Sequence, residues 1–476
     1  MEKPDEFSQT TALGEIAGSV MRYAIATPSS LNVPYEGSDP AVQAAFPHGF
    51  PPSFGSGLAF KGEAGDGARD FYCLTDRGPN GDGPLVALGD DDTRESKLFP
   101  APSFVPSIGV VRVDRRGARL IASMPILSEQ GVPASGLPRP PGSSGHSDEL
   151  PLPDSLRLDL AGKVGFRDGG IDTEAIAFDP VANVLWVSDE YGPFLLKIDP
   201  SSGRTLQRYG PGDGLPSVLS LRRANRGMEG MTVDPESGLV HAFLQSPLSD
   251  GKAPYHLSGH AEKVERYAGF LRWIVFDPAS AGTRASYAYP LAHADYAKGR
   301  TGNAKLGDVV ALGKGRFVVI EQGEGANGAM FNHLMLVDTA GASDITPWGS
   351  ALERSSMAGM AVEGADWRAV TPMRKTLLLD LNRIGWTADK AEGLALADPC
   401  TLAISNDNDF GMRTRMSDKH GNDLPDADVT TVTINPDGAI VHGAARDDAI
   451  GVAALPLQAR TRSLWLLHFA RPLASL

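Results

Sequence analysis

The chain has 476 residues, enough for two or three domains or for one large all-β domain, and it can bury a substantial core without disulfide or metal staples. Its 44 lysines and arginines against 58 aspartates and glutamates give a formal net charge of −14 with no basic stripe, which argues against nucleic acid as a partner. Its 54 glycines and 36 prolines form about 19% of the chain, against about 12% in average proteins, which favours many tight turns between short strands over long helices.

The N-terminal segment (residues 1–50) lacks the marks of an export signal. Its first twenty residues are acidic, where a signal peptide is basic, and they contain no apolar central region. No run of about 18 apolar residues occurs along the chain, so we predict no membrane-spanning helix. These features leave open a cytoplasmic protein and an exported mature form. Two cysteines, Cys73 and Cys400, could form one disulfide or remain two thiols.

Paired short strands recur along the chain. Each pair joins two β-branched or apolar runs through Gly, Pro, Asp or Asn, and the five pairs are 56–60 with 70–78, 173–180 with 184–193, 228–235 with 239–246, 307–312 with 316–323, and 391–399 with 401–409. Outer strands are predicted at 194–199, 269–278, 333–339 and 429–438. A repeated meander of three or four strands is typical of a β-propeller blade, which must stack radially because a single hairpin cannot bury both faces.

We therefore predict an all-β fold, a β-propeller with five or six blades over residues 51–476. The segment 1–50 could help to close the propeller, and the strand-like run 463–470 could close a sixth blade. The Pro-, Gly- and Ser-rich stretch 128–153 is predicted to be a long inserted loop that could cover one mouth of the channel. A β-sandwich with coincidental hairpins is the alternative.

The first strand of several pairs carries an acid where a core strand should be apolar. Glu174, Glu229 and Glu392 each precede a small residue and an apolar run, and Asp308 holds a similar place in the fourth pair. The first strands of a propeller line its channel, so these carboxylates should converge, lose hydration and repel one another. They must then take up protons or hold a cation. Because the set offers only oxygen ligands, we expect Ca²⁺ before Mg²⁺ or Mn²⁺.

The ends of the second strands add further polar residues near the same mouth. These are Asp76, Asp189, Glu190, Glu321, Asn406 and Asp407. Strand caps and turns would explain any one of them, but they explain the repetition less well. The predicted metal ligands are Glu174, Glu229, Asp308, Glu321, Glu392 and Asp407, and Asp189 or Glu190 is the predicted general base.

Basic residues accompany the acids. Arg77, Arg226, Arg383 and Lys390 stand in or beside the same motifs. They could neutralise the carboxylates through ion pairs, or they could bind phosphate or carboxylate oxygens of a substrate. We assign Arg77 and Arg226 to the catalytic set, where they would neutralise charge in the transition state. Arg383 and Lys390, with Asp76 and Asn406, are assigned to substrate binding.

The motifs DTEAIAFDP…LWVSDEYGP, NRGMEGMTVDP, GDVVAL…VIEQG and KAEGLAL…ISNDNDFG resemble the phytase-like family of bacterial proteins, which is labelled as having esterase-like activity. The resemblance covers about residues 50–470 and implies a propeller-like fold, a periplasmic or secreted protein, and a phosphoester or ester hydrolase. The calcium-dependent β-propeller phytases are similar in architecture only. Because their motifs do not match this chain, their metal ligands cannot be transferred to it.

Our leading hypothesis is a metal-dependent hydrolase, acting on phosphate esters through a metal-activated water in the channel. Its substrate would be a small anion, and the protein would act as a monomer. A calcium-dependent lactonase or carboxylesterase is the first alternative. The second is a non-catalytic, ligand-binding propeller in which the metal only ties the blades together.

Overall fold

Strands make up nearly all of the regular structure. The computed structural model describes residues 4–89, 92–154, 156–158, 164–252, 255–256 and 265–476. Over these residues the α-helices are Pro40–Ala45 and Ala351–Ala358, and short 3₁₀ helices lie at Ser29–Leu31, Ser217–Leu221, His293–Asp295, Ala297–Gly299, Thr301–Asn303, Trp367–Ala369, Asn382–Ile384, Asp409–Gly411, Val429–Thr431, Leu457–Arg460 and Leu473–Ser475. The all-β prediction is confirmed. None of the helices in the described ranges is long and apolar enough to cross a membrane.

Five antiparallel units follow one another along the chain. Unit 1 contains Leu58–Glu63, Arg69–Leu74, Ser107–Asp114 and Gly117–Pro125; unit 2 contains Thr173–Asp179, Val184–Asp189, Phe194–Ile198, Thr205–Pro211 and Gly214–Leu215. Unit 3 contains Met228–Val233, Val240–Leu244, Phe270–Asp277 and Gly282–Pro290; unit 4 contains Ala304–Gly313, Arg316–Glu324, Met330–Asp338 and Arg374–Asp380. Unit 5 contains Leu394–Asp398, Thr401–Ser405, Ser463–Phe469, Gly14–Ala26 and Asp5–Thr11. Each unit starts with one of the predicted strand pairs.

An aspartate ends the first strand of several units and holds the turn that follows. In unit 2, Asp179 Oδ1 accepts hydrogen bonds from the amides of Val181 and Ala182, both at 2.9 Å. Asp234 and Asp398 do the same for Glu236 (3.0 Å) and Cys400 (2.9 Å). Side chains that bond the backbone two residues on favour turns over strand continuation, which explains why these runs fold into hairpins.

The first strands of the five units contact one another in a closed cycle, in the order of units 1, 2, 3, 4, 5 and back to 1. Small residues allow this close approach. A Cβ atom on Gly230 would lie 2.6 Å from the carbonyl oxygen of Gly307, and one on Gly57 would lie 2.9 Å from the Cα of Ala175. Any larger residue at either position would therefore push neighbouring strands apart.

The N-terminal segment completes unit 5. Gly14–Ala26 pairs antiparallel with Ser463–Phe469, and Asp5–Thr11 pairs with Gly14–Ala26 on its outer side. Ala118 and Arg119 of unit 1 form a short parallel pairing with Ile25 and Ala26, so units 5 and 1 share one sheet. The run 463–470 was predicted as a possible closing strand of a sixth blade. In the structure, its strand Ser463–Phe469 lies within unit 5.

Apolar side chains fill the spaces between neighbouring units. Between units 3 and 4, Trp273, Phe243 and Phe317 are fully buried, and His241 lies among them. The indole Nε1 of Trp273 donates a hydrogen bond to His241 Nδ1 at 3.0 Å. Both cysteines are free thiols, with Cys73 fully buried in the core between units 5 and 1.

A second layer, which we call the cap, is assembled from four separated parts of the chain. It comprises the helix Pro40–Ala45 and the strands Gly81–Asp82, Leu85–Ala87, Thr93–Arg94, Ser96–Leu98, Leu150–Leu152, Met412–Ser417, Thr433–Ile434, Ile440–His442 and Ala449–Ala454. These elements share one apolar core that includes Phe50, Leu152, Phe410 and Ile434. A small hairpin, Tyr255–His256 with Glu265–Arg266, lies in unit 3's long connection.

The stretch 128–153 packs mainly against unit 2. The Tyr191 hydroxyl donates a hydrogen bond to the Gly136 carbonyl at 2.7 Å, and Leu137 is buried beside it. Its last residues enter the cap through Leu150–Leu152. The stretch 128–153 therefore connects unit 2 with the cap.

Candidate metal centre and substrate cavity

A cavity of about 500 Å³ lies beneath the cap, where the first strands of the units begin and the second strands end. Its acidic lining residues are Asp76, Asp82, Asp172, Glu174, Glu190, Glu392, Asp407, Asp409 and Asp428, and its basic ones are Arg77, Lys97, Arg226, Lys305, Lys390 and Arg413. A cavity of this composition suits a small, highly charged ligand.

Strand pairing places one residue of the first strand and one residue of the second strand of each unit at the end of the unit that lies towards the cavity. Opposite residues are Thr173 with Asp189, Met228 with Leu244, and Leu306 with Glu321, and the residue after each of them occupies an equivalent place. The first-strand positions are therefore Ser56, Glu174, Glu229, Gly307 and Glu392, and the second-strand positions are Asp76, Glu190, Gln245, Gln322 and Asp407. All of the second-strand residues except Gln322 line the cavity.

Three carboxylates from unit 2 form the tightest acidic group. One oxygen from each of Asp172, Glu174 and Glu190 lies within 4.8 Å of the others. Asp172 and Glu190 are 1% and 3% exposed. No described residue donates a hydrogen bond to Glu190 Oε1, whereas Asp172 Oδ2 lies 3.3 Å from Arg77 Nε. A buried carboxylate oxygen that lacks a donor is costly. Glu190 Oε1 thus requires either a proton or a cation.

The electrostatics of this trio favour the same conclusion. Burial, reinforced by Asp172, raises the pKa of Glu190 to about 7 against the opposing effect of Arg77. Burial also raises the pKa of Glu174 well above its usual value, and Glu229 and Asp172 add to the shift. Ionisation of these carboxyl groups is therefore unfavourable unless a cation is bound.

The donor set fits a hard divalent cation. All three groups offer oxygen, and Glu190 Oε1 receives no hydrogen bond from a described residue. Oxygen-only sets suit Ca²⁺, Mg²⁺ or Mn²⁺ rather than Zn²⁺ or copper. Asp172, Glu174 and Glu190 are thus the residues that would hold the ion.

Arg77 positions one side of the trio. Its guanidinium contacts Asp172 Oδ2 (Nε, 3.3 Å) and donates hydrogen bonds to Glu149 Oε2 (Nη1, 3.1 Å) and Asn225 Oδ1 (Nη2, 2.5 Å). Burial alone would lower the pKa of Arg77, but Asp172, Tyr191 and Glu149 outweigh it and the pKa is raised. With its guanidinium engaged by protein acceptors, Arg77 acts first as a positioning residue for Asp172.

The opposite wall is organised by Lys390. Its ammonium lies 3.1 Å from Asp409 Oδ1 and 3.4 Å from Asp407 Oδ2. Burial disfavours the ammonium, yet Asp409, Asp407 and Glu392 outweigh burial and raise its pKa. The Glu392 carboxylate accepts no hydrogen bond from another described residue, and burial raises the pKa of Glu392 to about 7 despite Lys390. Glu392 is thus a carboxyl poised to exchange a proton near neutral pH.

Two further cations face the cavity with few partners. Lys305 forms no ion pair with a described residue, and burial, with the repulsion of Arg226 and Lys390, lowers its pKa. Arg226 donates a short hydrogen bond to Gln245 Oε1, while Gln245 Nε2 donates to Glu229 Oε2 at 3.0 Å. Lys305 and Arg226 are therefore available for an anionic ligand.

The motifs that build this cavity are those of a known family. A model of the phytase-like family, described as esterase-like activity of phytase, matches residues 56–410. The chain belongs to this family. A search of the curated proteins finds no match.

Solved structures similar to this phytase-like chain are remote. The catalytic domain of the Coprinopsis cinerea GH62 α-L-arabinofuranosidase is 10% identical, covering 95% of this chain and 98% of its own, with a TM-score of 0.31. The Podospora anserina α-L-arabinofuranosidase in complex with cellotriose is 10% identical, at 94% and 97% coverage and a TM-score of 0.33. The Listeria innocua β-1,2-mannobiose phosphorylase is 9% identical, at 75% and 87% coverage and a TM-score of 0.33. TM-scores this low do not establish a shared fold or a shared function.

Within this phytase-like fold, some sequence-predicted residues lie away from the cavity. Glu321 accepts hydrogen bonds from Lys375 (2.6 and 2.7 Å), Tyr289 (2.5 Å) and Tyr296 (3.1 Å) between units 3 and 4. Arg383 is a surface residue 3.2 Å from Asp380, with 73% of its side chain exposed.

Asn406 and Asp189 face away from the cavity. Asn406 accepts a hydrogen bond from the Ser463 amide at 2.6 Å. Asp189 lies behind the trio, where its Oδ1 accepts from the amides of Asp172 (2.9 Å) and Tyr191 (3.0 Å). Burial raises the pKa of Asp189 to about 7. Asp189 supports the backbone of Asp172 and does not itself line the cavity.

Asp308 lies deeper, among the first strands. Its Oδ1 accepts from the amides of Val309 (2.8 Å) and Met231 (3.3 Å), and its Oδ2 accepts from Leu394 (3.2 Å). Asp308 therefore connects the first strands of units 3, 4 and 5 through hydrogen bonds. Strand pairing puts it one position beyond the glutamates to which the sequence compared it.

Asp172 and Lys305 are among the cavity residues that were not singled out from the sequence. Asp172 precedes Glu174 by two residues, a spacing that places both side chains on one side of a strand, and this signal was available. Lys305 carried no local signal, since it comes before an apolar strand as many surface lysines do. Only the closed cycle of first strands in the structure shows that Lys305 faces Glu392 and Arg226.

Proposed function

We propose that the chain is a metal-dependent hydrolase of small phosphate esters, with its reaction centre at Asp172, Glu174 and Glu190. The observation that carries this proposal is the buried Glu190 Oε1, which receives no hydrogen bond from a described residue and lies beside Asp172 and Glu174. The same cavity presents Lys305 and Arg226, neither of which forms an ion pair with a described carboxylate. A cation-binding group beside anion-binding groups suits an ester whose acid part is a phosphate.

A divalent cation, Ca²⁺ in the first place and Mg²⁺ or Mn²⁺ in the second, would supply Lewis acidity and lower the pKa of a bound water. Lys305 and Arg226 bind the phosphoryl oxygens and neutralise their charge. Lys390 holds Asp407 and Asp409 and orients that wall. Glu392 accepts a proton from the attacking water, because its pKa of about 7 matches that task at neutral pH. This moves the role of base from Asp189 or Glu190 to Glu392.

We interpret the five antiparallel units as five propeller blades. The support is the closed cycle of contacts among their first strands and the completion of unit 5 by the N-terminal strands. In this arrangement the cavity is the covered mouth of the central channel. The family resemblance also supports export to the periplasm or medium, and we propose a monomer there.

The test begins with chelated, dialysed protein. It is assayed with p-nitrophenyl phosphate, bis-p-nitrophenyl phosphate and p-nitrophenyl acetate, before and after reloading with Ca²⁺, Mg²⁺ or Mn²⁺. We expect turnover of a phosphate ester only after reloading. Full activity in the chelated protein would remove the metal from the mechanism, and metal-dependent turnover of the acetate alone would favour a carboxylesterase, in keeping with the family's description. Glu63→Gln, at an exposed position, is the control for Glu174→Gln.

A further inference from the structure

A second pocket, which we call the distal pocket, lies between the 128–153 insertion and the outer strands of unit 2. It has a volume of about 430 Å³ and shares no lining residue with the cavity. Its walls are apolar on one side, through Ile126, Val132 and Leu196, and cationic on the other, through Arg139 and Arg208. The inference drawn from it is independent of the proposed function.

The two arginines converge on one aromatic ring. The guanidinium carbon of Arg208 lies 4.6 Å from the centroid of Phe194, and that of Arg139 lies 5.9 Å from it. Neither guanidinium lies within ion-pair distance of a described carboxylate, although the exposed Asp168 and Glu129 also line the pocket. Two like charges are thus held together without a counter-ion.

The side chain of Arg139 is largely removed from water. It is only 9% exposed, and its one hydrogen bond to another described residue runs from Nε to the Ser144 carbonyl (2.7 Å). Burial and the nearby Arg208 lower its pKa, and the distant attraction of Asp189 and Asp168 does not offset them. The remaining N–H groups of Arg139 donate to no described residue and are accessible from the distal pocket, where they offer an anion both charge and hydrogen-bond donors.

We propose that the distal pocket binds a small organic oxyanion with an apolar substituent, such as a monocarboxylate or a phosphonate. The two guanidinium groups take the oxygen atoms, because their N–H forks match carboxylate and phosphate geometry. The apolar wall takes the substituent.

The experiment is calorimetric titration of the full, metal-free chain. The probes are hexanoate and phenylphosphonate, compared with acetate, inorganic phosphate and hexylamine. We expect hexanoate to bind more tightly than acetate, phenylphosphonate to bind more tightly than phosphate, and hexylamine not to bind. Equal affinities for hexanoate and acetate would overturn the role of the apolar wall.

Variants locate the binding event. Arg208→Gln, at an exposed position that does not threaten folding, should weaken hexanoate binding about tenfold or more, the loss expected for charge-assisted hydrogen bonds. Arg139→Lys, which keeps the charge but loses the fork, should also weaken it. Arg204→Gln is the matched control, since Arg204 is exposed nearby but does not line the pocket. Unchanged binding in Arg208→Gln, or loss of hexanoate binding in the cavity variant Lys305→Met, would overturn the proposal.

Discussion

At the scale of single residues, the cavity is governed by charge that the protein alone does not neutralise. Glu190 Oε1 is buried and receives no hydrogen bond from a described residue, whereas Asp172 is paired with Arg77, and Asp407 and Asp409 share the ammonium of Lys390. The cavity thus contains acids that are neutralised by basic side chains and one carboxylate oxygen that is not. This asymmetry decides where an added cation should bind.

Replacing Glu190 by glutamine should separate a metal site from a purely structural cluster. In the metal-free protein, the change removes a repelling charge and should raise the free energy of unfolding by about 1 to 3 kcal/mol. It should also weaken Ca²⁺ binding by about a hundredfold, because a neutral amide replaces one of three charged ligands. Thermal denaturation with and without Ca²⁺ measures both effects, and Glu63→Gln should change neither. A lower melting temperature in the metal-free variant would contradict this account.

Lys305→Met should affect substrate binding more than stability. The ammonium is partly buried and forms no ion pair with a carboxylate in the described part of the chain, so its removal relieves repulsion from Arg226 and Lys390. We expect KM for the phosphate ester to rise about tenfold or more, the cost of one charge-assisted contact. The melting temperature should stay level or rise. Steady-state kinetics of the metal-loaded enzyme provide the test, and an unchanged KM would exclude Lys305 from the binding site.

At the scale of strands and units, the repeated motifs predicted much of the site, and strand alternation explains what they missed. The repeated glutamates do reach one mouth: Glu174 and Glu392 line the cavity, and Glu229 is hydrogen-bonded to its lining residue Gln245. At the second-strand ends the sequence shows adjacent polar residues, as in Asp189–Glu190. Neighbouring side chains on a strand face opposite ways, so Glu190 and not Asp189, and Asp407 and not Asn406, faces the cavity. Bulges in the first strands of units 2, 3 and 4 hide this choice in the sequence.

His241 gives unit 3 a testable dependence on pH. Burial lowers the pKa of His241 to about 4, below its usual 6.5. Between pH 6.5 and 4 the unfolded chain therefore binds more protons than the folded one, and stability falls as the pH is lowered through this range, by about 3 kcal/mol in all. His241→Gln retains an acceptor for Trp273 Nε1 but does not titrate. Denaturant unfolding at pH 4.5 and 7 should show a smaller loss in the variant than in the wild type. Equal losses would show that His241 does not contribute.

At the scale of the whole molecule, the sequence predicted the repeating units but not the cap. The five units could be predicted from the sequence because each repeats the same short-range pattern of strand, turn and strand. The cap's core joins residues as distant as Phe50, Leu152, Phe410 and Ile434, and none of its short strands has a periodicity of its own. Its existence depends on long-range contacts, which local patterns do not encode.

Removal of the N-terminal strands should distinguish their two contributions. Deleting residues 1–13 removes the outer strand Asp5–Thr11, which should lower the melting temperature while leaving a folded, active protein. Deleting residues 1–26 also removes Gly14–Ala26 and exposes the edge of Ser463–Phe469. Because unpaired edges promote association, this longer deletion should yield aggregates. Size-exclusion chromatography compares the two, and a monomeric, active 27–476 chain would refute the closing role of Gly14–Ala26.

The pairing of Gly14–Ala26 with Ser463–Phe469 has a consequence for biosynthesis. While the ribosome is still translating residue 462, Thr401–Ser405 and Gly14–Ala26 both lack the strand that will lie between them. The nascent polypeptide must keep both exposed edges apart from other chains until Ser463–Phe469 emerges. Translation pauses shortly before residue 463, or a bound chaperone, should therefore matter more for yield than events during synthesis of the middle units.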